Sequence, residues 1–303
     1  GIGTLFISHK LDEVFEIAEK VTVLRDGVKI GTYETTELDE ERLTMLMTGQ
    51  SLSFPAMHRV DPAAPVVLEV KDLSCAGSYG NVSLQLRAGE IVGITGLLGS
   101  GRTELALSLF GMNPPDSGSI KVDGRDVRID SVRTAMSLGL AYVPEDRLSQ
   151  GLVMGQSVGK NLASTVIRRL TRKNGLIDTR QYTELVARWI DQLSIKTPSA
   201  NALVETLSGG NQQRVVLAKW MATNPKILIL DGPTVGRDVA AKSGMHAVLR
   251  KLAQSGVGII IISDEVAEVY HNSHRVIVMG RGRIVGEFNP ASCSLKTLAG
   301  ALG

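Results

Sequence analysis

Cysteine is scarce: Cys75 and Cys293 are the two in 303 residues, far apart and in no metal-binding spacing. This excludes a disulfide-stapled fold and a thiolate metal centre, and it predicts two free thiols in a reducing compartment. Long hydrophobic runs are missing too. The longest, such as Ile259 to Ile262, are strand-sized, well short of the ~18 to 20 residues that a membrane span needs. Any membrane association must therefore come through a partner. Net charge is small, since 33 basic and 31 acidic residues leave +2. That is too little for the basic footprint of a nucleic-acid binder. The remaining composition, 43% hydrophobic and 21% charged, is ordinary for one large or two medium globular domains.

What is present is a glycine loop. Gly96-Leu97-Leu98-Gly99-Ser100-Gly101-Arg102-Thr103 follows the phosphate-loop spacing G-x-x-x-x-G-K-[ST] at every position except Arg102, where lysine is expected. Ile91 to Ile94 reads as a buried strand and Thr103 to Leu109 as a helix, which places the loop at a helix N-terminus with its amides pointing outward. Backbone N–H groups of such a loop wrap phosphates, glycine permits their close approach, and Thr103 can offer its hydroxyl to Mg2+. Ile227 to Leu230 is a continuous apolar strand ending on Asp231, whose carboxylate is placed to share that Mg2+. Leu207-Ser208-Gly209-Gly210-Asn211-Gln212-Gln213-Arg214 opens a further helix with a serine and two glycines, again presenting amides and a hydroxyl to phosphate. Leu217, Trp220 and Met221 share one face of that helix and are expected in the core.

The chain also repeats itself. Aligning Ser8 with Ser263 gives an offset of 263 − 8 = 255, and the same offset pairs Gly27 with Gly282 and Gly31 with Gly286 without a gap. Thr4 to Val14 and Ile259 to Val269 each read as a buried strand end followed by a helix start. Val21 to Leu24 and Val276 to Met279 are equivalent strands, each followed by a glycine turn and a second strand. Residues 1–50 therefore read as the tail of a first copy whose beginning is missing, and the chain as a fragment. Residues 51–65, with Pro55, Pro62 and Pro65, read as a linker, and 66–303 as a complete second copy. Strands are expected at Val66 to Val70, Val82 to Leu86 and Leu140 to Val143, a hairpin at Ser119 to Gly124, and a helix at Val239 to Gln254. Helical periodicity over 157–170 and 178–193 suggests an inserted helical subdomain, about 150–220. Alternating strands and helices predict an α/β sheet, largely parallel.

Leu207 to Gly210 resembles the L-S-G-G-Q signature of the ATP-binding cassette family. The Asn-Gln-Gln variant, with Pro144-Glu145-Asp146-Arg147 and Gly99-Ser100-Gly101-Arg102-Thr103-Glu104-Leu105, is similar to tandem ATPase subunits of ribose, galactose and xylose importers. The resemblance covers the whole chain. It implies a phosphate-loop cassette with a mainly parallel core sheet, an antiparallel β subdomain and a helical subdomain carrying the signature. It further implies ATP and Mg2+ as cofactors and coupling of ATP hydrolysis to sugar uptake. The expected partners are membrane permease subunits and, through them, a periplasmic sugar-binding protein, with no nucleic acid. The expected location is peripheral, on the cytoplasmic face of the inner membrane. Two cassettes would pair head to tail, each phosphate loop meeting the other's signature.

Site residues carry over by position. Gly96 to Thr103, Glu145 and Asp231 would bind nucleotide, with Thr103 and Asp231 on the metal and Glu145 at the switch position. Leu207, Ser208, Gly209, Gly210 and Gln212 form the signature. His9 is the switch histidine of the first copy, whereas its repeat equivalent is Asp264. The residue after Asp231 should be a water-polarising glutamate and is Gly232, which puts local hydrolysis in doubt. Arg102 keeps the charge of the phosphate-binding lysine without its compact shape. These residues predict one competent composite site, built from the missing region, His9 and this signature, and one degenerate site. Two rival readings stay open, a docking module that binds nucleotide without turnover and a non-transport ATPase of the same family. Leu148 to Gly155 is expected to be flexible and to dock the permease, and Tyr79 to be a surface turn residue or an adenine-stacking ring.

Overall fold

The computed structural model describes residues 3–8, 11–25, 27–49, 57–235 and 239–302. They fall into two packed units, 1–56 with 236–246 and 57–235 with 247–303.

In the first unit α1 (Leu11–Ile17) leads into the antiparallel hairpin of β1 (Lys20–Arg25) and β2 (Val28–Glu34), then α2 (Glu40–Thr48). Asp39 caps α2 by accepting the Arg42 N–H at 2.7 Å, and Gly49 ends it in the left-handed region. Leu11, Val23, Leu38 and Leu43 form its small core. The expected strand end before α1 does not form: Leu5 and Ile7 are 90% and 89% exposed. Their repeat equivalents, Ile260 and Ile262, lie in a strand with a neighbour on each side, and among the described residues no strand flanks 4–8.

The second unit begins with β3 (Val66–Cys75) and β4 (Tyr79–Arg87), followed by β5 (Ile91–Gly96) and α3 (Arg102–Leu109). Next come β6 (Ser117–Val122), β7 (Arg125–Val127), α4 (Val132–Ser137) and β8 (Leu140–Val143). After the helical insertion described below come β9 (Ile227–Asp231), α8 (Val239–Gln254), whose residues up to His246 group with the first unit, β10 (Gly258–Ile262), α9 (Val266–Asn272), β11 (Arg275–Gly280), β12 (Arg283–Phe288) and α10 (Leu295–Gly300). The core sheet has the order β12-β11-β5-β10-β9-β8 and is parallel except for β12, which returns antiparallel to β11. Every residue of β5, β8, β9 and β10 is buried, which is why these strands are mostly apolar with no polar alternation, Thr95 and the terminal Asp231 excepted. A second, antiparallel sheet has the order β4-β3-β6-β7.

Between β8 and β9 lie α5 (Val158–Ala163), α6 (Thr179–Gln192) and α7 (Gly209–Met221), with α5 and α6 packed on α7. The periodic stretch 157–170 is α-helical only to Ala163 and continues as a 3-10 helix to Leu170. Leu148 to Gly155, expected as a structureless stretch, begins within a turn. Asp146 accepts the N–H of Leu148 (2.9 Å), the N–H of Ser149 (3.2 Å) and the Ser149 hydroxyl (2.6 Å), closing a π-helical turn over Arg147–Gly151. Leu217, Trp220 and Met221 are buried, and the Trp220 ring meets Phe110 edge-on at 5.3 Å, which joins α7 to the end of α3.

The repeat is visible in three dimensions. α1, β1 and the start of α2 recur as α9, β11 and the start of α10 at the offset of 255. The irregularity in β1 at Val23/Leu24 recurs in β11 at Val278/Met279. Gly31 and Gly286 each lie under the aromatic ring two residues on, Tyr33 and Phe288, where a Cβ would collide. The Ser8 hydroxyl donates to Glu13 at 3.0 Å, and Ser263 donates to Glu268 at 2.6 Å.

Candidate nucleotide site and signature helix

β5 is completely buried and holds the start of the glycine loop rigidly, while α3 begins at Arg102 with Gly101 as its N-cap at φ +91°. A side chain at Gly101 would strike the Ser78 carbonyl at 2.6 Å, so glycine is required by backbone angle and by space. Ser100 is buried and its hydroxyl has no protein partner, while the backbone carbonyl of the same residue accepts from Gly282 N–H at 3.1 Å. An orphaned buried hydroxyl inside a loop of this shape fits a phosphate oxygen as its missing partner. The Arg102 guanidinium folds back onto the Gly96 carbonyl and lies 3.4 Å from the Ser263 carbonyl.

Asp231 ends β9 at 3% exposure. It accepts the Tyr142 hydroxyl at 3.2 Å, and the Thr103 hydroxyl lies on the same cleft. Burial, reinforced by the negative charge of Glu145, raises its pKa, and the nearby Thr103 and Tyr142 hydroxyls and Arg102 oppose the rise. Burial also raises the Tyr142 phenol, with Asp231 adding to it. A hydroxyl and a carboxylate on one cleft are the kind of oxygen ligands that Mg2+ takes, and among the described residues no group of three or more His, Cys, Asp or Glu side chains could hold a metal alone. A metal here would take its remaining ligands from phosphate and water. The loop, Glu145, Asp231, Val235 and Asp264 line one cleft of about 230 Å3.

Gly232 has φ +52°, and a Cβ there would come within 2.9 Å of the Glu145 Cγ and 3.0 Å of a Val235 methyl. The Glu145 side chain thus occupies the space a residue-232 side chain would enter. Asp264 is exposed at the end of β10, and Glu268 ties the two loops together by accepting from Thr234 at 2.7 Å and Ser263 at 2.6 Å. His9 lies outside the described residues.

The signature forms the start of α7. Leu207 is buried, Ser208 is exposed at the N-cap, and Gly209 and Gly210 begin the helix. Gln212 is buried, accepts from the Arg147 guanidinium at 3.1 Å and donates to the Val204 carbonyl at 3.3 Å. The two variant motifs quoted from the sequence therefore touch each other. Lys219, further along α7, is buried and donates to the Gly151 carbonyl of the π-helical turn.

Tyr79 is 5% exposed with its phenol pushed up to about 12 by burial. It is neither a surface turn residue nor a ring with an open face for adenine. Sequence reading missed Tyr142, Glu268 and Lys219. Tyr142 is brought to Asp231 from a strand remote in sequence, whereas Glu268 lies shortly after Ser263 and Lys219 on the helix that the motif opens.

A phosphate loop between a buried strand and a helix, a neighbouring strand ending in aspartate, an antiparallel sheet and a helical insertion define a nucleotide-binding cassette fold. The profile described as ABC transporter matches residues 79–235, and the chain belongs to that family. It is similar to the ribose import ATP-binding protein RbsA 2 of Rubrobacter xylanophilus, 45% identical over 95% of this chain and 55% of that protein. It is 40% identical over 98% of this chain to a Rhizobium etli protein named for ribose/galactose/methyl galactoside import, covering 57% of it. The chain thus spans a little over half the length of these curated relatives. Among solved structures, cbiO1 from Clostridium perfringens, part of the ABC transporter complex cbiONQ, has a TM-score of 0.67 at 24% identity, over 78% of this chain and 93% of that one. This likeness bears on the fold. Among the described residues, no helix is long and apolar enough to cross a membrane.

Proposed function

We propose that this chain is the C-terminal part of a tandem-cassette ATP-binding subunit of a monosaccharide importer of the ribose, galactose and xylose type. Residues 1–50 are then the tail of a first cassette, 51–65 a linker and 66–303 a second cassette, with the helical subdomain at about 150–220. The repeat at offset 255 and the relatives' length and names support this reading. The observation that carries the division of labour is the pairing of a complete signature helix with a left-handed glycine where the water-polarising glutamate belongs.

In this reading the loop amides of Gly96 to Thr103 and the Arg102 guanidinium hold the phosphates of ATP, and Thr103 and Asp231 hold Mg2+, which neutralises phosphate charge. Glu145 faces the same phosphates, while Gly232 and Asp264 leave this site without a water-polarising carboxylate and a switch imidazole. Ser208, Gly209 and Gly210 close on the nucleotide of the first cassette, whose switch histidine is His9. Permease subunits dock near the exposed Leu148 and Val153, and they link the subunit to the cytoplasmic face of the membrane and indirectly to a periplasmic sugar-binding protein.

Gly232 also favours a second reading, a nucleotide-responsive module without turnover. Binding and turnover of Mg-ATP measured separately on the purified chain test both. Weak binding with background turnover is expected. Turnover above background contradicts the degenerate site, and no binding at all contradicts the nucleotide site.

A further inference from the structure

The serine N-caps of α4, α5 and α10 behave alike: Ser131, Ser157 and Ser294 each accept the backbone N–H three residues on, at Thr134, Lys160 and Thr297. Ser208 at the N-cap of α7 makes no such bond. Its Oγ instead lies 2.9 Å from the side-chain amide nitrogen of Asn211. The orientation of that amide is fixed by its other end. Asn211 Oδ1 lies 2.8 Å from the backbone N–H of Lys196, which can only donate, so Nδ2 must be the group that donates to Ser208. The loop that supplies Lys196 is itself tied to α7, because the Arg214 guanidinium donates to the Ser194 carbonyl at 2.6 Å.

The consequence is geometric. An ordinary cap draws the serine oxygen over the mouth of the helix, onto an amide of the first turn. Here the oxygen is drawn to the side by a side chain, with one lone pair occupied, and its own O–H cannot point at Asn211. An incoming phosphate oxygen can then meet the first turn of the helix and accept from the serine hydroxyl together.

We infer that Asn211 is a positioning residue: anchored on Lys196, it holds Ser208 Oγ beside the helix mouth with its proton directed at the γ-phosphate of the nucleotide bound by the other cassette. This rests on the reading above that the signature serves the first cassette's site.

The test is a double-mutant cycle on ATP turnover by the tandem protein, with melting midpoints alongside. Asn211→Asp keeps the shape and the Lys196 bond but replaces the donor by an acceptor, which turns the Ser208 proton inward. It is expected to lower kcat by the same order as Ser208→Ala, ~10²-fold, with a smaller change in KM and an unchanged melting midpoint. In the Ser208→Ala background, Asn211→Asp should then cost nothing further. Asn211→Ala, which adds no charge, should couple to Ser208→Ala in the same way, and Asn211→Gln, whose amide still reaches the hydroxyl, should retain turnover within a few-fold. Independent, multiplying losses overturn the inference, as does an unchanged kcat in Asn211→Asp. A lowered midpoint with multiplying losses marks a merely structural residue and overturns it too. If Ser208→Ala alone has no effect, the signature does not serve a turning site, and the underlying reading falls with it.

Discussion

In the proposed reading, Gly232 limits the chemistry of its site through its backbone. At φ +52° an L residue is strained, and the space its side chain would enter is filled by Glu145. The missing carboxylate is thus not a simple vacancy that a point substitution refills. Gly232→Glu should lower stability by about 1–3 kcal/mol, and Gly232→Ala by a similar amount, since the strain lies in the backbone and at the Cβ. Neither should raise turnover of the chain, because Asp264 still offers no imidazole. Denaturation midpoints and ATPase rates check this. A Gly232→Glu protein as stable as the parent and turning over ATP contradicts it.

At the scale of elements, α7 is bound to the π-helical turn at two points, Arg147 to Gln212 and Lys219 to the Gly151 carbonyl. Burial pushes the Lys219 ammonium down to about 8. Between that value and the ordinary 10.5 the unfolded chain holds a proton on this lysine that the folded chain has released. Stability therefore gains from this group as pH rises through that window, by at most about 1.4 kcal/mol per pH unit, and gains nothing below it. Urea midpoints of the parent and Lys219→Met should diverge in the parent's favour from pH 8 to 10 and run parallel from pH 6 to 7.5. A constant difference across the range contradicts it.

These elements also show what the sequence could and could not reveal. Ile227 to Leu230 and Ile259 to Ile262 were legible because strands buried on both faces must be apolar throughout. The helix Val239–Gln254 was legible because its periodicity is long enough to be unambiguous. The π-helical turn was not, since it depends on one aspartate making three short-range bonds, and short polar segments carry no period. Tyr142 reaches Asp231 across 89 residues of sequence, and only the sheet register brings them together. The glycine loop and signature were legible as spacing, but the rotation of Ser208 by Asn211 was not, because spacing says nothing of which way an amide points.

At the scale of the whole molecule, the repeat at offset 255 pairs His9 with Asp264, which the proposed reading takes as the switch position of each copy. The equivalent Ser–Glu bonds and strand irregularities are retained in both stretches, so under the proposed reading the two copies share a frame and differ at this position. The most direct measurement compares Ser208→Arg with Arg102→Ala in the tandem protein, for ATP turnover and for sugar uptake. In the proposed reading Ser208 donates in the competent site, and losing a preorganised donor at developing phosphate charge costs ~10²- to 10³-fold. Arg102 lies in the site without a water-polarising carboxylate. Ser208→Arg should nearly abolish both activities and Arg102→Ala should lower them only partially, whereas equal losses, or the reverse order, contradict unequal sites.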